Sequence, residues 1–216
     1  MKKLKVVLAD DHPIVLLGVR EIIERAGEYC IVSDVSNSSS LVDSIEMLAP
    51  DVVVTDYNMP GDDTYGDGIQ LIEYLIRRYP ALKIVVLTMI DNPLIHTRLY
   101  ELGVWGVVLK NGDLNQILVA LKAINQSRIY RAPALNESVV PAVKNKDIAC
   151  RIDSLTIKEY EVLRSFFSGM SVSDIAIQNN RSIKTISAQK MSAMRKLNVG
   201  TDQELSIFCA SSGMFF

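Results

Sequence analysis

The sequence predicts an α/β chain: a doubly wound, five-stranded parallel sheet followed by a small all-α helix-turn-helix domain. Three observations predict it. Across residues 1–125, short β-branched runs alternate with segments whose apolar residues recur at helical spacing, the pattern of consecutive βα units. From Thr156 onward only the helical period is present. The charge also changes sign along the chain: residues 1–125 hold 11 Lys+Arg against 17 Asp+Glu, whereas residues 126–216 hold 12 against 8. An acidic front and a basic back point to two domains with different partners.

The strands are read at Leu4–Ala9, Tyr29–Val35, Val52–Thr55, Ile84–Thr88 and Val104–Leu109. Their near-continuous apolar character suits strands buried on both faces of a parallel sheet. Helices are read at Ile14–Ala26, Ser40–Leu48, Ile69–Arg78, Leu94–Leu102 and Leu114–Asn125. Pro13, Pro50, Pro60-Gly61, Pro80, Asn92-Pro93 and Gly103 punctuate the joints. A strand followed by a helix and a parallel strand crosses over right-handed, so residues 1–125 make one doubly wound domain.

Residues 126–150 read as a linker. Pro133 and Pro141 interrupt it, Lys144-Asn145-Lys146-Asp147 is polar, and a short helix around Glu137–Val143 is left open. Residues 151–216 form the second domain. Thr156-x-x-Glu159 is a capping box that opens Ile157–Phe167, and Gly169 stops it. Ser171 opens Val172–Gln178, which ends at Asn179-Asn180. Ser182 opens Ile183–Leu197, which ends near Gly200, and Asp202 opens a fourth helix. Short helices with one tight turn between the second and third fit a helix-turn-helix unit.

Composition sets bounds on function. Of 216 residues, 49% are hydrophobic and 22% charged, which is globular and not disordered. The apolar runs fall far short of the roughly 18 residues a membrane span needs, so no membrane partner is expected. The basic Met1-Lys2-Lys3 start runs into Asp10-Asp11 with no cleavage region, unlike a signal peptide. Three widely spaced cysteines form neither a disulfide framework nor a metal motif, and a cytoplasmic location is the expectation.

In an open parallel sheet, ligands bind beyond the carboxyl ends of the strands. There the first strand presents Asp10 and Asp11, the third Asp56, the fourth Thr88 and the fifth Lys110. Carboxylates gathered this closely repel one another and want a cation. Oxygen-only ligation suits Mg²⁺, which also takes phosphate oxygens. An ionised Asp is a nucleophile able to form an aspartyl phosphate. A Lys pairs with a phosphoryl oxygen as a point charge, and a Thr hydroxyl donates to another. The loop at Asp62, Asp63 and Asp67 is not a calcium loop, because its sixth position is Asp67 where a glycine is required. His12 reads as a loop or helix-start residue, and His96 as a residue of an exposed helix without a partner.

Ala9-Asp10-Asp11-His12-Pro13, Thr55-Asp56-Tyr57-Asn58-Met59-Pro60-Gly61, Leu87-Thr88 and Val108-Leu109-Lys110 resemble the receiver domain of bacterial two-component response regulators over all of residues 1–125. The resemblance implies that Asp56 accepts a phosphoryl group from a histidine kinase or histidine phosphotransfer protein. It implies that Asp11, Asp56 and the Asn58 backbone carbonyl bind Mg²⁺ directly, with Asp10 acting through water, and that Thr88 and Lys110 sense the phosphoryl group. The family often places a Tyr, Phe or His three residues before the Lys, as an aromatic coupled to the Thr. This chain has Val107 there, with Trp105 nearby.

In the second domain, Lys184, Lys190, Arg195 and Lys196 make the third helix basic, and Thr185, Ser187 and Gln189 lie among them. A major groove admits one helix, whose Arg, Lys, Gln, Ser or Thr side chains read base edges. Phosphates are held by basic and hydroxyl side chains. Arg181, Ser182, Lys184, Thr185, Ser187, Gln189 and Lys190 are the expected contacts with double-stranded DNA. Ile183, Ile186, Met194 and Leu197 form the stripe expected to pack inward.

Leu155-Thr156-x-x-Glu159-x-Glu161-Val162-Leu163, Gly169-Met170-Ser171, Ile175-Ala176, Ser182-Ile183-Lys184-Thr185-Ile186-Ser187 and Lys196-Leu197-Asn198-Val199 resemble the LuxR/NarL-type output domain. Both domains together resemble the NarL/FixJ class. The resemblance implies a phosphorylation-controlled transcription regulator, not an enzyme. It acts as a homodimer or as a heterodimer with auxiliary LuxR-type regulators. The alternative is a phosphate-independent DNA-binding partner of another LuxR-type regulator. A dehalogenase-type hydrolase also uses an aspartyl nucleophile, but it wants a second acid two residues on, and adjacent Asp10-Asp11 does not supply one.

Overall fold

The computed structural model describes residues 3–59, 64–132, 146–212 and 214–215. Asp62, Asp63 and the segment 137–143 lie outside them. The chain divides into two compact units, Met1–Asn136 and Glu137–Phe216.

The first unit is built on β1 (Leu4–Ala9), β2 (Tyr29–Val35), β3 (Val52–Asp56), β4 (Lys83–Thr88) and β5 (Gly106–Leu109), paired in the order β2-β1-β3-β4-β5. All neighbouring pairs are parallel. Helices α1 (Pro13–Ala26), α2 (Ser38–Leu48), α3 (Gly68–Arg78), α4 (Pro93–Leu102) and α5 (Gln116–Asn125) follow the strands in turn. Pro13 starts α1, where its fixed φ is already helical, and Gly27 at φ 70° ends it in the left-handed conformation that glycine adopts without strain. Asn37 caps α2 by accepting from the Ser40 N–H, so this helix begins two residues earlier than its apolar spacing suggests.

β3 is buried at every position, as expected of a central strand covered on both faces. On one face Val6, Leu8, Val52, Val54, Val85, Leu87 and Val108 join Val19 and Ile23 of α1 and Ile117, Ala120, Leu121 and Ile124 of α5. The alternate residues Val7, Val53, Val86 and Val107 are buried as well. The strand order reverses between β1 and β3, which opens a crevice at their carboxyl ends.

The expected linker over 126–150 is shorter at both ends. Tyr130 is buried in the α1–α5 core, receives order from its N–H bond to the Trp105 carbonyl, and donates its hydroxyl to Gln116 Oε1 at 2.8 Å. At the other end Lys146 begins a helix, α6 (Lys146–Asp153), which packs on the helix Ile183–Leu197.

The second unit continues with α7 (Ile157–Phe167), α8 (Val172–Gln178), α9 (Ile183–Leu197) and α10 (Asp202–Ser212). Reciprocal capping boxes, Thr156 with Glu159 and Ser171 with Asp174, open α7 and α8. The turn between α8 and α9 places Asn180 at φ 50°, a conformation that asparagine tolerates. Val162, Ile175, Ala176 and Ile186 from α7, α8 and α9 form the small core beneath that turn.

Candidate functional site

The crevice of the first unit gathers the residues that the strand ends supply. Asp10 follows β1, Asp56 ends β3, Thr88 ends β4 and Lys110 follows β5. Lys110 Nζ lies 2.7 Å from Asp10 Oδ2 and 2.7 Å from Asp56 Oδ2, so one ammonium bridges two carboxylates. Asp10, Asp56 and Thr88 are buried, while the Asp11 side chain is 28% exposed. Asp11 thus faces the opening and Asp10 the floor. The Asn58 backbone also bonds the Asp56 carboxylate.

His12 is the N-cap residue of α1, in keeping with a helix-start position. Its backbone N–H donates to Asp10 Oδ1 at 2.9 Å. Its Nδ1 lies 2.8 Å from Asp11 Oδ1 and 3.2 Å from Asp10 Oδ1. Carboxylates only accept, so Nδ1 carries the proton in this arrangement. Among the described residues, Asp10, Asp11, His12 and Asp56 each offer a ligand atom, all within 4.8 Å of one another. Three carboxylates against one ammonium leave an excess of negative charge, and a donor set dominated by oxygen fits a hard divalent cation.

Burial pushes the Asp56 carboxyl up, Lys110 pulls it back and Asp10 pushes it up again, to about 6. A carboxylate whose charge is this poorly solvated is poised to take an electrophile or a cation. Thr88 Oγ1 accepts the Ile90 N–H at 2.9 Å, leaving the hydroxyl proton as a donor. The main chain ties the strand ends together: Lys110 N–H donates to the Thr88 carbonyl and Tyr57 N–H to the Leu87 carbonyl, both at 2.8 Å. Trp105 packs on the α1–α5 core that contains Val108, not on the face of Val107, and Lys83 Nζ lies 5.0 Å from its ring centre. It therefore does not stand in for an aromatic at Val107.

In the second unit, Arg181, Ser182, Lys184, Thr185 and Ser187 are exposed and Gln189 is half-exposed. Ser182 caps α9 by accepting the Thr185 N–H, and the two hydroxyls lie 2.8 Å apart. Two expectations fail here. Lys190 is buried: its ammonium pairs with Asp202 at 2.7 Å and lies 3.4 Å from the centre of the Phe166 ring. It stands four residues after Ile186 and seven before Leu197, on the inward stripe, where its methylenes pack and only its charge needs a partner. Ile183 is 55% exposed instead, because the first turn of α9 projects past the core. Arg195, outside the expected contact set, is exposed on the same face as Lys184 and Ala188. Spacings of four and eleven residues bring these onto one side of a helix and are the signal that marks it.

The model of the response regulator receiver domain matches residues 6–122. That of the bacterial regulatory proteins, luxR family, matches residues 153–209. The chain is 41% identical over 212 residues to the transcriptional regulatory protein RcsB of Escherichia coli (strain K12), covering 98% of this chain and 96% of that protein. It is 29% identical over 197 residues to the nitrate/nitrite response regulator protein homolog of Haemophilus influenzae, covering 91% of each. A solved structure of RcsB from Salmonella enterica serovar Typhimurium, bound to promoter rprA in the presence of phosphomimetic BeF3⁻, is similar at a TM-score of 0.79. It is 40% identical and covers 97% of this chain and 100% of that one. Among the described residues, no helix is long and apolar enough to cross a membrane. An acid-lined crevice at the switch point of a parallel sheet, followed by a capped helix-turn-helix, agrees with these matches throughout: the chain belongs to the response regulators that join a receiver domain to a luxR-family output domain.

Proposed function

We propose that Asp56 is the phosphoacceptor of this regulator and that its phosphorylation controls binding of α9 to double-stranded DNA. The observation that carries the reading is the lysine bridge, in which Lys110 Nζ lies 2.7 Å from both Asp10 and Asp56. An Asp56 oxygen attacks the phosphorus of a phosphohistidine on a histidine kinase or phosphotransfer protein. The P–O bond forms, the P–N bond breaks, and the released imidazole takes up a proton. Lys110 then pairs with a phosphoryl oxygen and Thr88 donates its hydroxyl proton to another. Asp11, Asp56 and the Asn58 carbonyl would hold Mg²⁺, with Asp10 through water, and the ion would neutralise charge on the transferred group.

The new group adds about −2 charge to the crevice, which biases the receiver between two packings. On DNA, Arg181 and Ser182 meet the phosphate backbone, and base readout leans on Lys184, Thr185, Ser187 and Gln189. Two copies reading half-sites about one helical turn apart are the expected arrangement. A similar RcsB structure contains two dimers bound to two parallel DNAs, which supports a homodimer here. Heterodimers with auxiliary LuxR-type regulators, in the cytoplasm, complete the reading. The test is labelling with acetyl phosphate and Mg²⁺: Asp56→Asn is expected to lose the label, and undiminished labelling of that variant rejects the assignment.

A further inference from the structure

Ile90 joins Thr88 to α4 through two hydrogen bonds. The Ile90 N–H donates to Thr88 Oγ1 at 2.9 Å, and the Ile90 carbonyl lies 2.8 Å from His96 Nε2. A carbonyl only accepts, so His96 donates through Nε2–H. His96 stands in the first turn of α4, where its own N–H is bonded to the Asn92 carbonyl at 3.1 Å. Ile90 and Thr88 are buried, so a broken bond in this chain is not readily replaced by water. Val107 offers no aromatic ring to follow a movement of Thr88, and Trp105 packs on the other side of the sheet.

We propose that His96 is a positioning residue that couples the state of Thr88 to α4 through Ile90. This rests on the reading of Thr88 as a sensor of the phosphoryl group. When the Thr88 side chain rotates about Cα–Cβ to carry its hydroxyl to a phosphoryl oxygen, Oγ1 moves and the Ile90 N–H must follow it or lose its acceptor. The backbone on either side of Ile90 rotates, the carbonyl changes direction, and the Nε2–H bond draws the first turn of α4 with it. Two hydrogen bonds on one residue thus form a short relay from the crevice to a helix, in place of the missing ring. No bond to the phosphoryl group is made by His96 itself.

The experiment uses the full chain with Mg²⁺, with and without beryllium fluoride, and compares wild type, His96→Leu and His96→Gln. Leu fills the space without a donor, and Gln returns an N–H near the Nε2 position. Asp56 labelling by acetyl phosphate reports the phosphoacceptor itself, and hydrogen exchange of α4 amides reports the relay. Labelling is expected to be equal in all three. The ligand-induced change in α4 exchange is expected to fall about fivefold in His96→Leu, the order set by one hydrogen bond, and to return in His96→Gln. A full α4 response in His96→Leu overturns the relay, as does wild type that takes the label without any α4 response. Wild type that takes no label overturns the phosphoacceptor reading and the relay with it. The ¹⁵N resonance of His96 Nε2 in wild type gives a second measurement that needs no variant. It is expected to shift on beryllium fluoride addition, and an unmoved resonance in labelled protein overturns the relay.

Discussion

Lys110 Nζ lies 2.7 Å from Asp56 Oδ2, and burial of this pair governs the pH behaviour of the crevice. Burial raises the Asp56 carboxyl from 3.8 to about 6, against the pull of Lys110 and with a further push from Asp10. Between those values the folded chain keeps a proton that the unfolded chain has released. The group's contribution to stability therefore falls as pH rises through that window and is level above it. A cation must displace the same proton. Mg²⁺ affinity is expected to be flat above about pH 6 and to fall towards tenfold per unit below it. Calorimetric titration at several pH values checks this, and an affinity indifferent to pH in the acidic range would contradict it.

Lys190 and Lys184 occupy one helix and are expected to part company on substitution. Lys190 pairs with Asp202 and stacks on Phe166, so Lys190→Ala should destabilise the second unit by about 1–3 kcal/mol. The salt dependence of DNA binding should be unchanged. Lys184 is exposed. Lys184→Ala should leave stability within about 0.5 kcal/mol and reduce the slope of log affinity against log salt by about 1. Thermal unfolding and DNA titrations over a range of salt read both.

The sheet and the crevice were legible because their cause is local. Val52–Val54 and Val85–Leu87 are apolar runs with no alternation, and Asp10, Asp56, Thr88 and Lys110 follow from counting to the end of each strand. Lys190 carries two opposed signals: its charge suggests solvent, while its spacing from Ile186 and Leu197 places it on the buried stripe. The two signals disagreed, and burial of a long aliphatic stem with a paired head won. Tyr130 carried no sign of burial, since no periodic segment surrounds it and its partners, Trp105 and Gln116, come from other elements. His96 was legible only as a helix residue: its bond to the Ile90 carbonyl depends on the path of a loop that no periodicity describes.

Glu159 ties α7 to α9 and should make the second unit acid-sensitive. Burial alone would raise its carboxyl, but Lys196, the Thr156 N–H and neighbouring hydroxyls hold it down at about 2, from 4.5. Lys196 Nζ stands 2.6 Å from Glu159 Oε2. A lowered acid contributes stability that is fully present above the unfolded value and is lost as pH falls from 4.5 towards 2. Glu159→Gln is expected to cost on the order of 2 kcal/mol at neutral pH and to remove that acid-dependent loss. Hydrogen exchange of α7 amides measures the unit without interference from the receiver, and equal acid sensitivity in the variant would refute the assignment.

Tyr130 lies beyond the last receiver helix yet belongs to the receiver core. It is 5% exposed, packs with Ile117, Ala120 and Ile124, and donates its hydroxyl to Gln116. Tyr100 in turn donates to the Tyr130 carbonyl at 3.0 Å, so both its side chain and its main chain are held. Removing the ring leaves a cavity beside Gly106, whose Cα faces the Tyr130 ring. Tyr130→Ala should cost about 3–5 kcal/mol, of the size seen for large aromatic truncations. Tyr130→Phe, which loses only the hydroxyl bond, should cost about 1 kcal/mol. The chain has one tryptophan, Trp105, whose carbonyl accepts the Tyr130 N–H. Urea unfolding followed by its fluorescence therefore reports the receiver directly. A Tyr130→Ala midpoint equal to wild type would return residues 126–132 to the linker. A large loss with little effect of Phe would show that packing, more than the hydroxyl, anchors the segment.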